Sequence, residues 1–249
     1  MTLRLSVLLF TLSLSSHAAS ETLRVIALSS ERFFFEENGR LRGIEYEILD
    51  YFAKSRDATL AVEWVDSFSD LLPRIEAGKA DIAAGTITIT DERERRVDFS
   101  AGYFPVQVVL VERSGEASGS LKELAGAKVA AFQDTTAVDA LKQEPRIEIV
   151  VASDGIEGML EAVRKGEIRA AAADSSAVIP LLEDYPTLKI SQTFGDEQHF
   201  GFALPKGSPL KEALSEHILR LKESGIYFRF LTDHMGPRAT EIVRAARSR

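Results

Sequence analysis

No cysteine occurs anywhere in the 249 residues. Disulfides, thiolate metal sites and a lipidated N-terminal cysteine are therefore excluded. Histidine is scarce as well: His17, His199, His217 and His234 stand far apart with no ligand-like spacing, so neither a metal nor a cofactor is expected. Positive charge is in deficit, with 30 Lys and Arg against 38 Asp and Glu and a net charge of -8. That balance argues against nucleic acid or an acidic membrane surface as a partner. The sequence also lacks a G-x-S-x-G elbow, a glycine-rich phosphate loop and an H-E-x-x-H pair. Its S-x-x-K match, Ser208-Pro209-Leu210-Lys211, reads as a helix start with a serine cap and a proline in the first turn, not as a nucleophile. No internal repeat or low-complexity tract is visible.

What is present is an ordinary globular composition, 45% hydrophobic and 27% charged, long enough for a substantial core. Residues 1–18 read as a signal peptide: Arg4 supplies the positive region, residues 5–14 an apolar run, and Ser16-His17-Ala18 the small-x-small cleavage pattern. A spanning helix needs roughly 20 apolar residues, and neither this run nor any later one is long enough. A soluble, exported protein, free in the periplasm, is the expectation.

Beyond the leader, strand and helix patterns alternate, which predicts an α/β architecture. Strands are expected at 23–28, 58–64, 128–132, 147–151, 168–173 and 200–204, while 81–84 leads into the segment 85–104 and 106–111 is a further apolar run. Helices are expected at 44–54, 69–77, 135–142, 155–165, 177–182 (with Pro180 inside it), 209–223 and 226–235. Residues 114–120, SGEASGS, read as a flexible loop.

The most informative stretch is 85–104, GTITITDERERRVDFSAGYF. Thr86, Ile87, Thr88 and Ile89 alternate polar and apolar, which predicts a half-buried strand. Thr90, followed by Asp91 and Glu92, supplies a cap and first-turn acids, which puts Arg93 in the first turn of a helix. There, helix N–H groups, threonine hydroxyls and a guanidinium fork can converge on one carboxylate. The competing interpretation of DERERR is a solvated, self-paired helix face.

The order T-I-T-D-E-R, V-D-F-S and G-Y-F resembles the ligand-binding segment of the periplasmic amino-acid-binding proteins, extracellular solute-binding protein family 3. Residues 62–75 and 195–210 are similar to further segments of that family, so the resemblance runs along nearly the whole mature chain. It implies the type II periplasmic binding fold: two lobes, each a sheet flanked by helices, joined by a two-strand hinge. Lobe one would comprise residues 19–104 plus 201–249, and lobe two residues 105–200. By the same resemblance, Thr88 and Arg93 hold a ligand's α-carboxylate, Asp174 takes its α-ammonium, and Phe68 stacks on it. The implied protein is a monomer that hands its ligand to an inner-membrane ABC transporter permease.

Other positions are open to more than one reading. Asp174 follows the strand pattern of 168–173 and equally suits an N-cap. Thr135 and Thr136 begin a helix and offer N–H groups and hydroxyls to an anion. The family usually has Gly where Asp134 stands, and an acid there repels a carboxylate unless it turns away to cap the helix. Phe68, with Phe132 and Gln133, is a candidate pocket wall or simply core. Glu31 facing the pocket favours a basic side chain, whereas Glu31 in solvent does nothing.

The segments GIEYEILDYFA, GEIRAAAADSSAV and YPTLK look like the solute-binding module of membrane-bound lytic transglycosylase F. The chain ends soon after Gly236, so that protein's catalytic activity is not carried over. Cyclohexadienyl dehydratases, which act on prephenate, share the two-lobed fold, and an elimination of that kind would need Glu31 or Asp174 as acid or base.

Overall fold

The computed structural model describes residues 21–236, 239–240 and 243; the expected leader at 1–18 lies outside them. The strands and α-helices in chain order are β1 (Thr22–Leu28), β2 (Phe35–Glu37), β3 (Arg40–Arg42), α1 (Ile44–Lys54), β4 (Thr59–Val65), α2 (Leu71–Glu76), β5 (Ile82–Ala84), α3 (Asp91–Glu94), β6 (Asp98–Phe99) and β7 (Phe104–Arg113). They continue as β8 (Lys128–Ala131), α4 (Thr136–Leu141), β9 (Glu148–Val151), α5 (Gly155–Lys165), β10 (Ala170–Asp174), α6 (Ser175–Val178), β11 (Leu188–Phe200), β12 (Ala203–Leu204), α7 (Leu210–Glu223) and α8 (Ile226–Met235).

Two five-stranded sheets result, one ordered β4-β1-β5-β12-β6 and the other β11-β7-β10-β8-β9. In the first, β1 runs parallel to β4 and β5, and the returning β12 is antiparallel. The period of two along β1 sorts its residues: Leu23, Val25 and Ala27 face the core under α1, α7 and α8, while Ile26 faces the smaller core with Leu71 and Ile75 of α2. In the second sheet, Ala170 and Ala172 of β10 face the α4 side and Ala171 and Ala173 the α5 side. Four alanines in a central strand let helices approach from both faces, which suits a strand buried on both sides.

The chain passes between the sheets twice, entering the second at β7 and leaving it through β11. These two strands pair with each other, Phe104 opposite Phe200. Phe33 sits edge-on to both rings, 5.2 Å from Phe104 and 5.7 Å from Phe200. The aromatic triplet 33–35 is thereby divided: Phe34 packs on Trp64 and Phe35 on His234.

Several sequence expectations need correction. Residues 86–89 do not form a strand. β5 stops at Ala84 because Gly85 (φ 152°) and Thr86 (φ 52°) turn the backbone out of the ladder, leaving a single bridge from Thr88 to Phe200. The expected strand at 200–204 is the end of a thirteen-residue β11 followed by a separate, short β12. The helix expected at 177–182 starts earlier, at Ser175, and tightens into a 3₁₀ turn over Ile179–Leu181, where Pro180 is tolerated. The 114–120 loop is anchored: Ser118 donates through its N–H (2.9 Å) and hydroxyl (2.8 Å) to the buried Glu112 carboxylate. The hairpin of β2 and β3 has a signal that sequence reasoning missed, Asn38-Gly39, whose positive φ angles (53° and 73°) make the two-residue turn between Glu37 and Arg40.

Candidate functional site

A cleft of about 740 Å³ lies between the two sheets and draws its lining from both. Every candidate ligand contact borders it: Glu31, Phe68, Thr86, Thr88 and Arg93 from the side of the first sheet, and Gln133, Thr135, Thr136 and Asp174 from the side of the second.

Arg93 is placed by local chemistry. The Thr90 hydroxyl accepts from the Arg93 N–H at 3.2 Å and caps α3, so the side chain leaves the first turn toward the cleft. DERERR is therefore not a uniform solvated face: Arg93 is 8% exposed, whereas its charged neighbours Glu92, Glu94 and Arg95 are exposed. Its guanidinium donates to the Thr88 carbonyl at 2.8 Å and to the Asp134 carbonyl at 3.0 Å, and lies 5.0 Å from the Phe68 ring centre. Burial pulls its pKa down, and Asp174, Asp139 and Glu92 push it back up. Arginine remains a cation under these conditions.

Across the cleft, Asp174 ends β10. It occupies the N-cap position of α6 but makes no capping hydrogen bond, so its carboxylate is left to the cleft. Burial pushes its pKa up to about 6, against the opposing pull of Arg93. Thr135 is the N-cap of α4, yet its hydroxyl donates to the Phe132 carbonyl at 2.7 Å instead of capping. The Thr136 Oγ1 is buried without a partner among the described residues. Asp134 does not cap; its side chain is exposed, and its backbone stands in the left-handed region at φ 59°. Glu31 sits at the rim, exposed and paired with Arg32 at 3.5 Å.

The turn that presents Thr86 depends on a residue that sequence reasoning missed. Glu45 of α1 is fully buried, and its Oε1 accepts from the N–H of Gly85 (3.1 Å) and of Thr86 (2.9 Å) and from the Tyr103 hydroxyl. Its signal was visible: Glu45 lies on the same stripe as Ile44, Ile48, Leu49 and Phe52, and an acid on a core-facing stripe needs a partner. Ser176, buried at the cleft two residues beyond Asp174, was also missed.

With this geometry in view, comparison with known proteins is decisive. Residues 24–237 match the model of the bacterial extracellular solute-binding proteins, family 3. The chain belongs to that family. The amino-acid-binding protein AabA of Dichelobacter nodosus is 26% identical over 220 residues, covering 85% of this chain and 87% of AabA. The membrane-bound lytic murein transglycosylase F of Cellvibrio japonicus is 27% identical over 216 residues, covering 83% of this chain but 43% of the transglycosylase. The chain thus spans less than half the length of that relative. Among solved structures, an ancestral arginine-binding protein bound to arginine superposes with a TM-score of 0.73 at 25% identity, covering 86% of this chain and 97% of that one. The architecture is the two-lobed type II periplasmic binding fold, as the sequence implied, and the role is solute binding. No helix among the described residues is long and apolar enough to cross a membrane.

Proposed function

We propose that this protein captures a free α-amino acid between its lobes in the periplasm and delivers it to an inner-membrane ABC transporter. The observation that carries the reading is the pair of opposite charges facing one cleft from different sheets, Arg93 from α3 and Asp174 from the end of β10. A zwitterion satisfies both: its carboxylate meets Arg93 and the hydroxyl of Thr88, and its ammonium meets Asp174. Thr86, Thr135, Thr136 and Gln133 supply further polar contacts, and Phe68 forms a wall. Ligand that engages both sides favours closure by its differential affinity for the closed state.

The remaining lining favours a basic side chain. Acids at Asp66, Asp154 and Glu157 add to Asp174, against Arg93, while Arg32 and Glu31 pair with each other at the rim. The name of the ancestral protein, arginine-binding, agrees with a basic side chain, while AabA's supports only an amino acid as ligand. Calorimetry with L-arginine, L-citrulline, L-glutamine and L-glutamate tests the reading. Arginine should bind most tightly, with citrulline weakened at least tenfold because it keeps the shape and lacks the charge. Failure of all four to bind would overturn it.

One observation favours a second reading. A half-buried carboxyl with a pKa near 6, as at Asp174, suits a general acid or base, which a cyclohexadienyl dehydratase-like elimination would require. Turnover of prephenate by the purified protein would establish that alternative, and its absence alongside arginine binding would dismiss it.

A further inference from the structure

We propose that Glu45 is a positioning residue that sets the Thr86 turn of the binding cleft and ties it to the crossing between the lobes at Tyr103. The proposal rests on the amino-acid-binding reading above for its ligand and on geometry for everything else.

Glutamate is a costly occupant of a fully buried helix position, since an ionised carboxylate loses its hydration and burial pushes its pKa up. An apolar residue would serve the core better unless something there requires an acceptor. Gly85 and Thr86 provide that need. Their backbone angles take them out of the β5 ladder, and their N–H groups would be stranded without the Glu45 carboxylate. Glycine suits this turn: at φ 152° a side chain is strained, and a Cβ would stand 3.0 Å from both Leu28 and Leu71.

The same oxygen accepts from the Tyr103 hydroxyl, and the Tyr103 carbonyl in turn accepts from the Tyr227 hydroxyl of α8. Tyr103 immediately precedes β7, and its N–H donates to Phe200, the last residue of β11, at 2.8 Å. From the other side, the Ile89 N–H donates to His199 and the Gly201 N–H to Ile87, each at 2.9 Å. The segment carrying Thr86 and Thr88 is therefore bonded directly to the end of β11 and, through Glu45, to Tyr103 just ahead of β7. Glu45 is the side chain that closes this circuit, while its second oxygen has no partner among the described residues. One carboxylate thus serves both the turn and the residue that precedes β7.

The test compares Glu45→Met, Glu45→Gln and Tyr103→Phe with the parent, using L-arginine and L-glutamine as probes. Binding is read by calorimetry, closure by small-angle scattering, and the turn by amide hydrogen exchange at Gly85 and Thr86. Glu45→Met should weaken binding at least tenfold and speed exchange at both amides at least tenfold. Glu45→Gln keeps an acceptor oxygen and should restore both to within threefold. Tyr103→Phe should leave exchange slow but weaken affinity about threefold or more and reduce the probe-induced compaction. A merely structural Glu45 would lower the unfolding midpoint and leave the affinity of the folded protein unchanged; that result overturns the proposal, as does a Tyr103→Phe variant indistinguishable from the parent. Should Glu45→Met not fold, Glu45→Asp withdraws the carboxylate by one methylene, and unchanged exchange and affinity in it are equally fatal. If the parent binds neither probe, the binding reading fails on its own, and exchange at Gly85 and Thr86 still decides the role of Glu45.

Discussion

The Arg93 guanidinium donates to the backbone carbonyl of Asp134 at 3.0 Å, and Asp134 stands between Gln133 and Thr135, which line the opposite side of the cleft. The group proposed to hold the ligand's carboxylate is thus already in contact with the opposing lobe, so ligand grip and lobe approach share one side chain. Arg93→Ala should cost about 2–5 kcal/mol of binding, because the ligand carboxylate would enter a desolvated site without its cation. Arg93→Lys should recover only part, since an ammonium cannot serve Thr88, Asp134 and a carboxylate with one planar fork. Calorimetry decides it, and parental affinity in Arg93→Ala would remove the site assignment.

Asp134 itself offers a stability prediction. Its left-handed backbone, φ 59°, is tolerated by aspartate but favoured by glycine. The contact to Arg93 uses the carbonyl, which any residue supplies. Asp134→Gly should therefore stabilise the protein by about 0.5–1 kcal/mol in urea unfolding, with binding preserved or strengthened as an acid leaves the rim. Loss of affinity would mean that the side chain has a role the backbone contact does not explain.

These residues also show what the chain discloses before folding. Arg93 was legible because its placement is local: a threonine cap three residues earlier and acids in the first turn. Helices α5 and α8 were likewise readable to the residue, from periodicity and flanking glycines. The 86–89 segment was misread because alternation describes an extended backbone whether or not it sits in a ladder. What takes it out of the ladder is a pair of left-handed residues held by Glu45, 41 positions away from Thr86. β11 was missed for a related reason. Its sequence is polar and interrupted by two register shifts, and its strand character comes from pairing along β7. Asp174 could be placed at a strand end from the sequence, yet that it makes no capping hydrogen bond is visible only in the helix geometry.

The ion pair between half-buried Arg169 and buried Glu112 in the second lobe is expected to matter for stability alone. Glu112 is fully buried, and Arg169 lies 2.6 Å from its Oε1 while Ser118 donates to both oxygens. Arg169→Ala would leave a buried carboxylate without its cation and should destabilise the fold by about 3–5 kcal/mol in urea unfolding. Affinity measured on the folded protein should not change, since neither residue borders the cleft.

Asp174 makes binding and stability respond to pH in opposite directions. Its pKa in the folded protein, about 6, lies above the ordinary carboxylate value. Folding therefore favours the protonated form, so the stability associated with this group is fully present below about pH 4 and is lost as pH rises through 6. Asp174→Asn should accordingly stabilise the unliganded protein at pH 7 and have no such effect at pH 4. Binding runs the other way. An ammonium needs the ionised carboxylate, so affinity for L-arginine should rise between pH 5 and 7 and level off above it. Below the pKa the slope should approach tenfold per pH unit, and Asp174→Asn should bind weakly with that step abolished. Calorimetry across this range in buffers of equal ionic strength, paired with urea unfolding at pH 4 and 7, tests both halves. A flat affinity profile in the parent would show that Asp174 does not meet the ligand's ammonium, whatever its effect on the fold.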